Sequence, residues 1–248
     1  MLTVLYTALG VGGATVIGAI AGILIGKVSH KFSDIIMGFA AGIMLAAAVV
    51  GLIIPSLDNG NLLLTLLGIF SGAIVLTLID KLTPHSHNVD GKMEQNFSKT
   101  VRKHNKVLLF VLAIAIHNFP EGVAAGVGFG TGDVANGVMI SIGIALQNIP
   151  EGIIIIAPLL STGISKKKTL LIASLTGLVE VIGTFVGYFA VSISVAILPF
   201  ALAFAGGTML YIISDEMIPE THSHGNHGGA TYSIIIGFCV MLVLDFLI

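Results

Sequence analysis

The chain alternates long apolar segments with short polar ones. A helix needs roughly 20 apolar residues to cross the hydrocarbon core of a bilayer. Segments of about that length lie at 3–26, 34–55, 61–80, 107–130, 134–159, 169–190, 199–217 and 231–247. The sixth and seventh segments are hard to separate, because Ser192, Ser194 and Pro199 each offer a break. The pattern predicts an all-α polytopic membrane protein with eight transmembrane helices in a single domain, 1–248.

The composition agrees with this pattern. Of 248 residues, 55% are hydrophobic and only 10% are charged, whereas soluble domains carry about 25% charged residues. The class of soluble enzymes is therefore excluded. The net charge of −2 offers no basic surface for nucleic acid. The single cysteine, Cys239, excludes a disulfide framework and a cysteine-based zinc site.

The positive charges predict the orientation of the helices. All eleven Lys and Arg residues fall in or beside the odd-numbered connections, between helices 1 and 2, 3 and 4, or 5 and 6. They are Lys27, Lys31, Lys81, Lys92, Lys99, Arg102, Lys103, Lys106, Lys166, Lys167 and Lys168. Connections rich in Lys and Arg stay in the cytoplasm. Both termini are therefore expected outside.

Histidines are concentrated in two of these cytoplasmic connections. The connection 82–106 contains His85, His87 and His104, and the one after helix 7 contains His222, His224 and His227. Each segment has two interpretations: a solvated loop, or a weak metal-collecting segment, since neighbouring His side chains can share a metal.

Polar residues inside the predicted helices are the most informative feature. Helix 4 contains HNFPEG at 117–122, helix 5 contains QNIPEG at 147–152, and helix 6 contains Glu180. An ionisable residue at mid-membrane costs about 2.5–3.5 kcal/mol on insertion scales. No apolar segment contains a Lys or Arg that could pair with these carboxylates. Protons or bound cations are the remaining ways to neutralise them.

The spacing of these residues favours a bound cation. His117 and Glu121 are four residues apart, as are Gln147 and Glu151, so each helix presents two ligands on one face. If helices 4 and 5 face each other, four ligands converge. Asn118, Asn148 and Glu180 are available for a second shell or an adjacent site. Imidazole and carboxylate without thiolate suit zinc, iron(II), manganese or cobalt.

Two prolines lie at the same depth as the carboxylates. Pro120 and Pro150 each remove a backbone hydrogen bond and kink the helix. Irregular backbone at membrane depth is tolerated where it is buried in protein or lines a cavity. Two Asn-x-Pro-Glu-Gly units at matched depth therefore indicate a functional site.

These motifs, with SDEMIPETH at 214–222, resemble the ZIP family of divalent metal transporters, in its bacterial GufA-like branch. The resemblance implies a zinc-importing carrier in which helices 1, 4, 5 and 6 move as a block, with two adjacent metal sites. One site would use His117, Glu121, Gln147 and Glu151, with Met44 from helix 2. The other would use Asn118, Asn148 and Glu180 and share Glu121 and Glu151.

Two residues depart from relatives in the family. Asn148 stands where some two-metal members have an acid, which argues against strong occupancy of the second site. Gln147 stands where many eukaryotic members have His, so the metal preference is expected to be broader than zinc and to include cadmium, iron and manganese. No cofactor is expected beyond the transported ion.

Other polar residues leave two interpretations open. Asp215, Glu216, Glu220 and His222 form either an exit station for metal or solvated charges at the end of helix 7. Met44 is either a ligand or apolar filler. Small-residue faces are compatible with close helix packing and with a homodimer.

Three other functions compete with that of a carrier in the cell membrane. An intramembrane metalloprotease would typically show HExxH, but His117 is followed by Asn118. A proton- or sodium-coupled carrier of another solute and a metal-selective channel use similar residues, and the sequence does not separate them cleanly.

Overall fold

The described structure is entirely helical wherever it is regular. The computed structural model describes residues 1–26, 28–82, 115–131 and 134–248. Its long helices are α1 Leu2–Ile25, α2 His30–Asn59, α3 Leu62–Leu82, α4 115–128, α5 Val134–Ser161, α6 Lys166–Ile193, α7 Leu198–His222 and α8 His227–Leu247. All but α4 are long and apolar enough to cross a membrane. The predicted start of helix 4, at 107, and the connection 82–106 beyond Leu82 lie outside the described residues.

The predicted helix ends need correction in several places; α2, for example, spans His30–Asn59 rather than 34–55. Helix α6 begins at Lys166 rather than 169, because Ser165 caps it by accepting a hydrogen bond from the backbone N–H of Lys168 at 3.4 Å. Helix α7 continues to His222 rather than ending at 217. His222 is therefore the last residue of α7 and His227 the first of α8, so neither lies in the connection where the sequence placed it.

Proline residues accompany the irregular turns of two helices. Helix α2 passes through a π-helical stretch, Ala47–Ile53, just before Pro55, and α7 does so at Ile213–Met217 before Pro219. A proline lacks the N–H that a regular helix needs, and a π-turn re-spaces the backbone around it. In α5, Pro150 lies inside the helix.

Glycines divide the helices into packing groups. A Cβ atom at Gly18 of α1 would collide with the carbonyl oxygen of Ile149 in α5, and one at Gly122 of α4 would collide with that of Glu180 in α6. Such backbone-to-backbone contacts need small residues. They hold α1, α4, α5 and α6 together as one group.

The remaining helices form two pairs with the same kind of contact. Gly42 of α2 packs on Ile234 of α8, and Gly72 of α3 packs on Phe204 of α7. An apolar core that includes Ile43, Ile140 and Met241 joins the group to these pairs. The small-residue faces therefore pack largely within the chain.

Contacts at the helix ends place the connections on two sides. In the α7–α8 connection, His224 lies 2.9 Å from Asp34 and stacks on His30, both at the start of α2. At the far end of α2, Ser56 donates a hydrogen bond to the carbonyl oxygen of Pro199 at the start of α7, at 2.7 Å. The α1–α2 and α7–α8 connections thus share one side of the bundle.

Candidate metal centre

Glu180, in the middle of α6, is held by donors from three other helices. Thr15 of α1 donates to Oε1 at 2.7 Å, and Asn148 of α5 donates to Oε2 at 2.6 Å. Asn118 of α4 also donates to Oε1. All four side chains are at most 3% exposed. Both oxygens of this carboxylate are therefore hydrogen-bonded inside the protein.

Glu121 and Glu151 differ from Glu180 in this respect. Oε2 of Glu121 and Oε1 of Glu151 are buried and have no hydrogen-bond partner among the described residues. The negative charges of Glu151 and Glu180 lie close enough to that of Glu121 to repel it. An unpaired charge at this depth needs a compensating cation or proton.

The two amides of the QNIPEG motif add unused polar atoms. Gln147 is fully buried beside Glu121, and among the described residues neither its amide oxygen nor its nitrogen makes a well-aligned hydrogen bond; the oxygen of Asn148 likewise makes none. Buried polar atoms in proteins are nearly always hydrogen-bonded. Unsatisfied oxygens next to two carboxylates are the donor set that a divalent cation would use.

His117 lies beside these residues but is bonded in another direction. Its Nε2 atom is 2.7 Å from Oε1 of Glu216 in α7. The side chains are 22% and 30% exposed, respectively, so the pair lies at the edge of the buried centre. Glu151 is near enough to feel the charge of a protonated His117. His117 thus links the carboxylates of α4 and α5 to α7.

The centre is not preassembled from classical ligands. Across the described ranges, no group of three or more His, Cys, Asp or Glu side chains is arranged to hold a metal ion. Two features account for this: the neighbours of Glu121 and Glu151 are largely amides, and His117 contacts Glu216. A metal bound here would use amide oxygens or require His117 to turn.

Met44 and the proposed exit residues, whose roles the sequence left open, lie in different surroundings. Met44 is fully buried in the apolar core, while Asp215 and Glu220 are exposed. Both ring nitrogens of His222 are in hydrogen-bonding range, Nδ1 of the carbonyl oxygen of Ile218 at 3.0 Å and Nε2 of Thr231 at 3.2 Å. Among the proposed exit residues, Glu216 contacts the centre through His117.

Two buried polar residues, Thr15 and Asp34, are not distinguished by any pattern in the sequence. Thr15 in α1 carries no sequence signal, because a lone threonine in an apolar helix usually bonds to its own backbone. Asp34 is 2% exposed and is paired with His224. Asp34 lies near the start of α2 beside polar residues that suggest exposure to solvent, and its burial depends on the contact with the α7–α8 connection.

Comparison with known proteins shows the family to which the chain belongs. The family model described as ZIP Zinc transporter matches residues 79–245. The chain is 38% identical over 243 residues to the zinc transporter GufA of Myxococcus xanthus, covering 94% of each chain. It is 35% identical over 244 residues to the zinc transporter ZIPB of Bordetella bronchiseptica, covering 94% of this chain and 77% of that one. A third relative, human zinc transporter ZIP11, is 37% identical over 146 residues, or 56% of this chain and 43% of its own.

The protein is therefore a membrane-embedded transporter of metal ions rather than an enzyme. It belongs to the ZIP family of zinc transporters. The family resemblance predicted from HNFPEG and QNIPEG is confirmed.

Proposed function

We propose that the protein is a carrier that moves zinc into the cytoplasm through the centre between α4, α5 and α6, and that it also accepts cadmium, iron(II) or manganese. The observation that carries the proposal is the pair of buried carboxylate oxygens, on Glu121 and Glu151, that have no partner among the described residues. No Lys or Arg is buried in the described part of the chain. A divalent cation would neutralise both carboxylates at once.

The ligand set follows from the positions of the unsatisfied atoms. Glu121, Glu151 and the amide oxygen of Gln147 bind the cation, and His117 completes the set after leaving Glu216. Histidine favours borderline metals such as zinc, while carboxylate and amide oxygens also suit manganese. A mixed set of this kind is consistent with a broad preference among divalent metals.

His117 and Glu216 also suggest the route of release. A carrier must hand its ion to weaker or more exposed ligands, and Glu216 is 30% exposed. Beyond it, α7 carries Glu220 and His222 towards the side where His224 meets Asp34. We propose that an ion leaving the centre passes Glu216 towards this side.

The orientation rests on the positive-inside rule. Lys31 at the start of α2, Lys81 at the end of α3 and Lys166 at the start of α6 belong to connections that alternate along the chain. Together with the contact between His224 and Asp34, this distribution supports a cytoplasmic location for that side. We therefore propose that the protein has eight transmembrane helices in one domain, lies in the cell membrane and has both termini outside.

A homodimer stays a prediction. The glycine faces that suggested one pack mostly within the chain, as Gly18 and Gly42 show. Single-molecule photobleaching of labelled protein in vesicles at low density would distinguish one copy from two.

The test of the proposed function is uptake into proteoliposomes. Purified protein is reconstituted, and entry of zinc is followed with an internal fluorescent indicator while cadmium, iron(II) or manganese competes outside. Saturable zinc uptake supports a carrier, and linear, fast uptake supports a channel. Uptake that needs a proton or sodium gradient defines the coupling ion. Absence of metal-dependent flux in a folded preparation would overturn the proposal.

A further inference from the structure

We infer that the hydrogen bonds from Thr15, Asn118 and Asn148 to Glu180 take the place of a second metal, so that the centre carries one ion, and that Thr15 is a positioning residue for this arrangement. The inference rests on the proposed function and adds the stoichiometry of the site. Both oxygens of Glu180 accept hydrogen bonds, whereas Glu121 and Glu151 each have an oxygen with no partner among the described residues.

The first step is the occupancy of the carboxylate oxygens of Glu180. Oε1 accepts from Thr15 at 2.7 Å and from Asn118, and Oε2 accepts from Asn148 at 2.6 Å. Hydrogen bonds to a charged acceptor are the strong class in proteins. Three of the roughly four lone-pair sites of this carboxylate are thus occupied, so a metal that bound both oxygens would displace a donor from a buried position.

The second step is the direction of the two amides. The Nδ2 atom that Asn148 turns towards Glu180 also lies 3.3 Å from the backbone carbonyl oxygen of Val11, and Nδ2 of Asn118 lies 3.4 Å from that of Thr176. Turning either amide so that its oxygen faced a metal beside Glu180 would also point that oxygen at a backbone carbonyl oxygen. Two acceptors repel each other, so the hydrogen-bond partners fix the amide direction.

The third step is the balance of charge. Because Asn148 is neutral and Glu180 is compensated by donors, Glu121 and Glu151 are the carboxylates left for cations. Their two negative charges match one divalent ion. A second ion would bring two more positive charges into a buried site where Glu180, already hydrogen-bonded on both oxygens, is the one carboxylate left to face them.

The fourth step explains why Thr15 can reach Glu180. Gly12 of α1 packs on Gly177 of α6, and Gly18 of α1 packs on Ile149 and Gly152 of α5. These contacts bring the backbone of α1 close to both helices, so that the short side chain of Thr15 spans the gap. The first helix is thereby tied to the centre by a hydrogen bond as well as by packing.

The experiment measures zinc binding to the whole purified protein in detergent by equilibrium dialysis and calorimetry. The variants are Thr15→Val, which keeps the shape but removes the donor, and Thr15→Ser, which restores it. Thr208→Val is the matched control, because Thr208 is 1% exposed and donates within α7 to the carbonyl oxygen of Ala205. Near-ultraviolet spectra and thermal unfolding check that each variant is folded.

We expect one tightly bound zinc ion per chain in the native protein. Thr15→Val removes one donor from Glu180, so more of that negative charge reaches an ion bound by Glu121 and Glu151. Zinc should then bind about 3- to 10-fold more tightly, because only part of the energy of a charged hydrogen bond is transferred to the ion. Thr15→Ser and Thr208→Val should match the native protein.

Three outcomes would overturn the inference. Two tightly bound zinc ions per native chain would show that Glu180 is a ligand, and would leave the proposed transport function standing. Unchanged or weaker binding in folded Thr15→Val would remove Thr15 from the compensation of Glu180. A native protein that bound no zinc would overturn both the inference and the proposed function.

Discussion

The carboxylates of the centre fall into two regions with opposite chemistry. On the α6 side, Glu180 has hydrogen-bond donors on both oxygens, from α1, α4 and α5. On the α4–α5 side, Glu121 and Glu151 each keep a buried oxygen without a partner in the described ranges. The same residue type, at similar depth, is thus satisfied by the protein in one region and left unsatisfied in the other.

This difference separates structural from functional roles. A buried carboxylate with hydrogen-bond donors fixes the positions of the helices that donate to it. A buried carboxylate without donors is unfavourable until a cation or a proton binds to it. Natural proteins retain such local conflicts mainly at functional sites. Glu180 is expected to hold the four-helix group together, and Glu121 with Glu151 to bind the ion.

The largest expected effect tests this division directly. Glu121→Gln and Glu151→Gln each remove a charge that a cation would balance and should lower zinc uptake at least about 100-fold, equivalent to losing a charged ligand. Glu180→Gln should still bind one zinc ion, with an affinity within about tenfold of the native protein. Uptake and calorimetric titration in the same preparations provide the measurement.

The control for these variants is Lys167→Ala, at the exposed start of α6, which should transport normally. The comparison fails if Glu180→Gln loses zinc binding as completely as Glu121→Gln while remaining folded, because Glu180 would then be a ligand of equal importance.

Most of the fold could be read from the sequence, because the membrane imposes a simple rule on composition. Seven of the predicted spans coincide with helices long and apolar enough to cross a bilayer. The errors lie at helix ends, where polar residues such as those in Ile218–His222 continue a helix that the hydropathy pattern had ended. A hydropathy pattern marks the apolar part of a helix and does not show where the helix continues outside the lipid.

The candidate site could be predicted only as a set of residues. Matched Pro-Glu-Gly motifs selected α4 and α5, but sequence spacing fixes neighbours within one helix and not partners across helices. The donation from Thr15 to Glu180 and the contact of His117 with Glu216 depend on how α1 and α7 pack, and no residue spacing encodes that packing.

The second prediction concerns Asn148, the neutral residue of α5 that donates to Glu180. Asn148→Asp replaces an amide that donates to Glu180 with a second acid. The two carboxylates should repel each other until a cation binds between them, and we expect a second zinc ion per chain together with slower release during uptake. Dialysis gives the stoichiometry and the proteoliposome assay gives the rate. Unchanged stoichiometry in folded Asn148→Asp would remove residue 148 from the metal-binding argument.

A third prediction concerns His117, which joins the unsatisfied region to α7. His117→Ala should raise the half-saturating zinc concentration about tenfold but that of manganese only about threefold, because imidazole contributes more to borderline than to hard metals. Glu216→Gln keeps the shape of the partner but weakens its hold on His117. It should therefore leave zinc binding unchanged or slightly tighter. Equal losses for zinc and manganese in His117→Ala would indicate a packing role instead.

The smallest expected effect lies at Met44, a residue of the apolar core. Met44 is fully buried in α2 in the same core as Ile43 and Ala47. Leucine has a similar volume, and such exchanges in a core usually change stability little. If Met44 only packs, Met44→Leu should change the affinity for cadmium and for manganese by less than about twofold. If its thioether is a ligand, the loss should fall on cadmium alone, because sulfur prefers soft metals. Parallel competition curves for these two ions, in native protein and Met44→Leu, decide whether the metal-binding region extends into α2 or ends at the residues of α4 and α5.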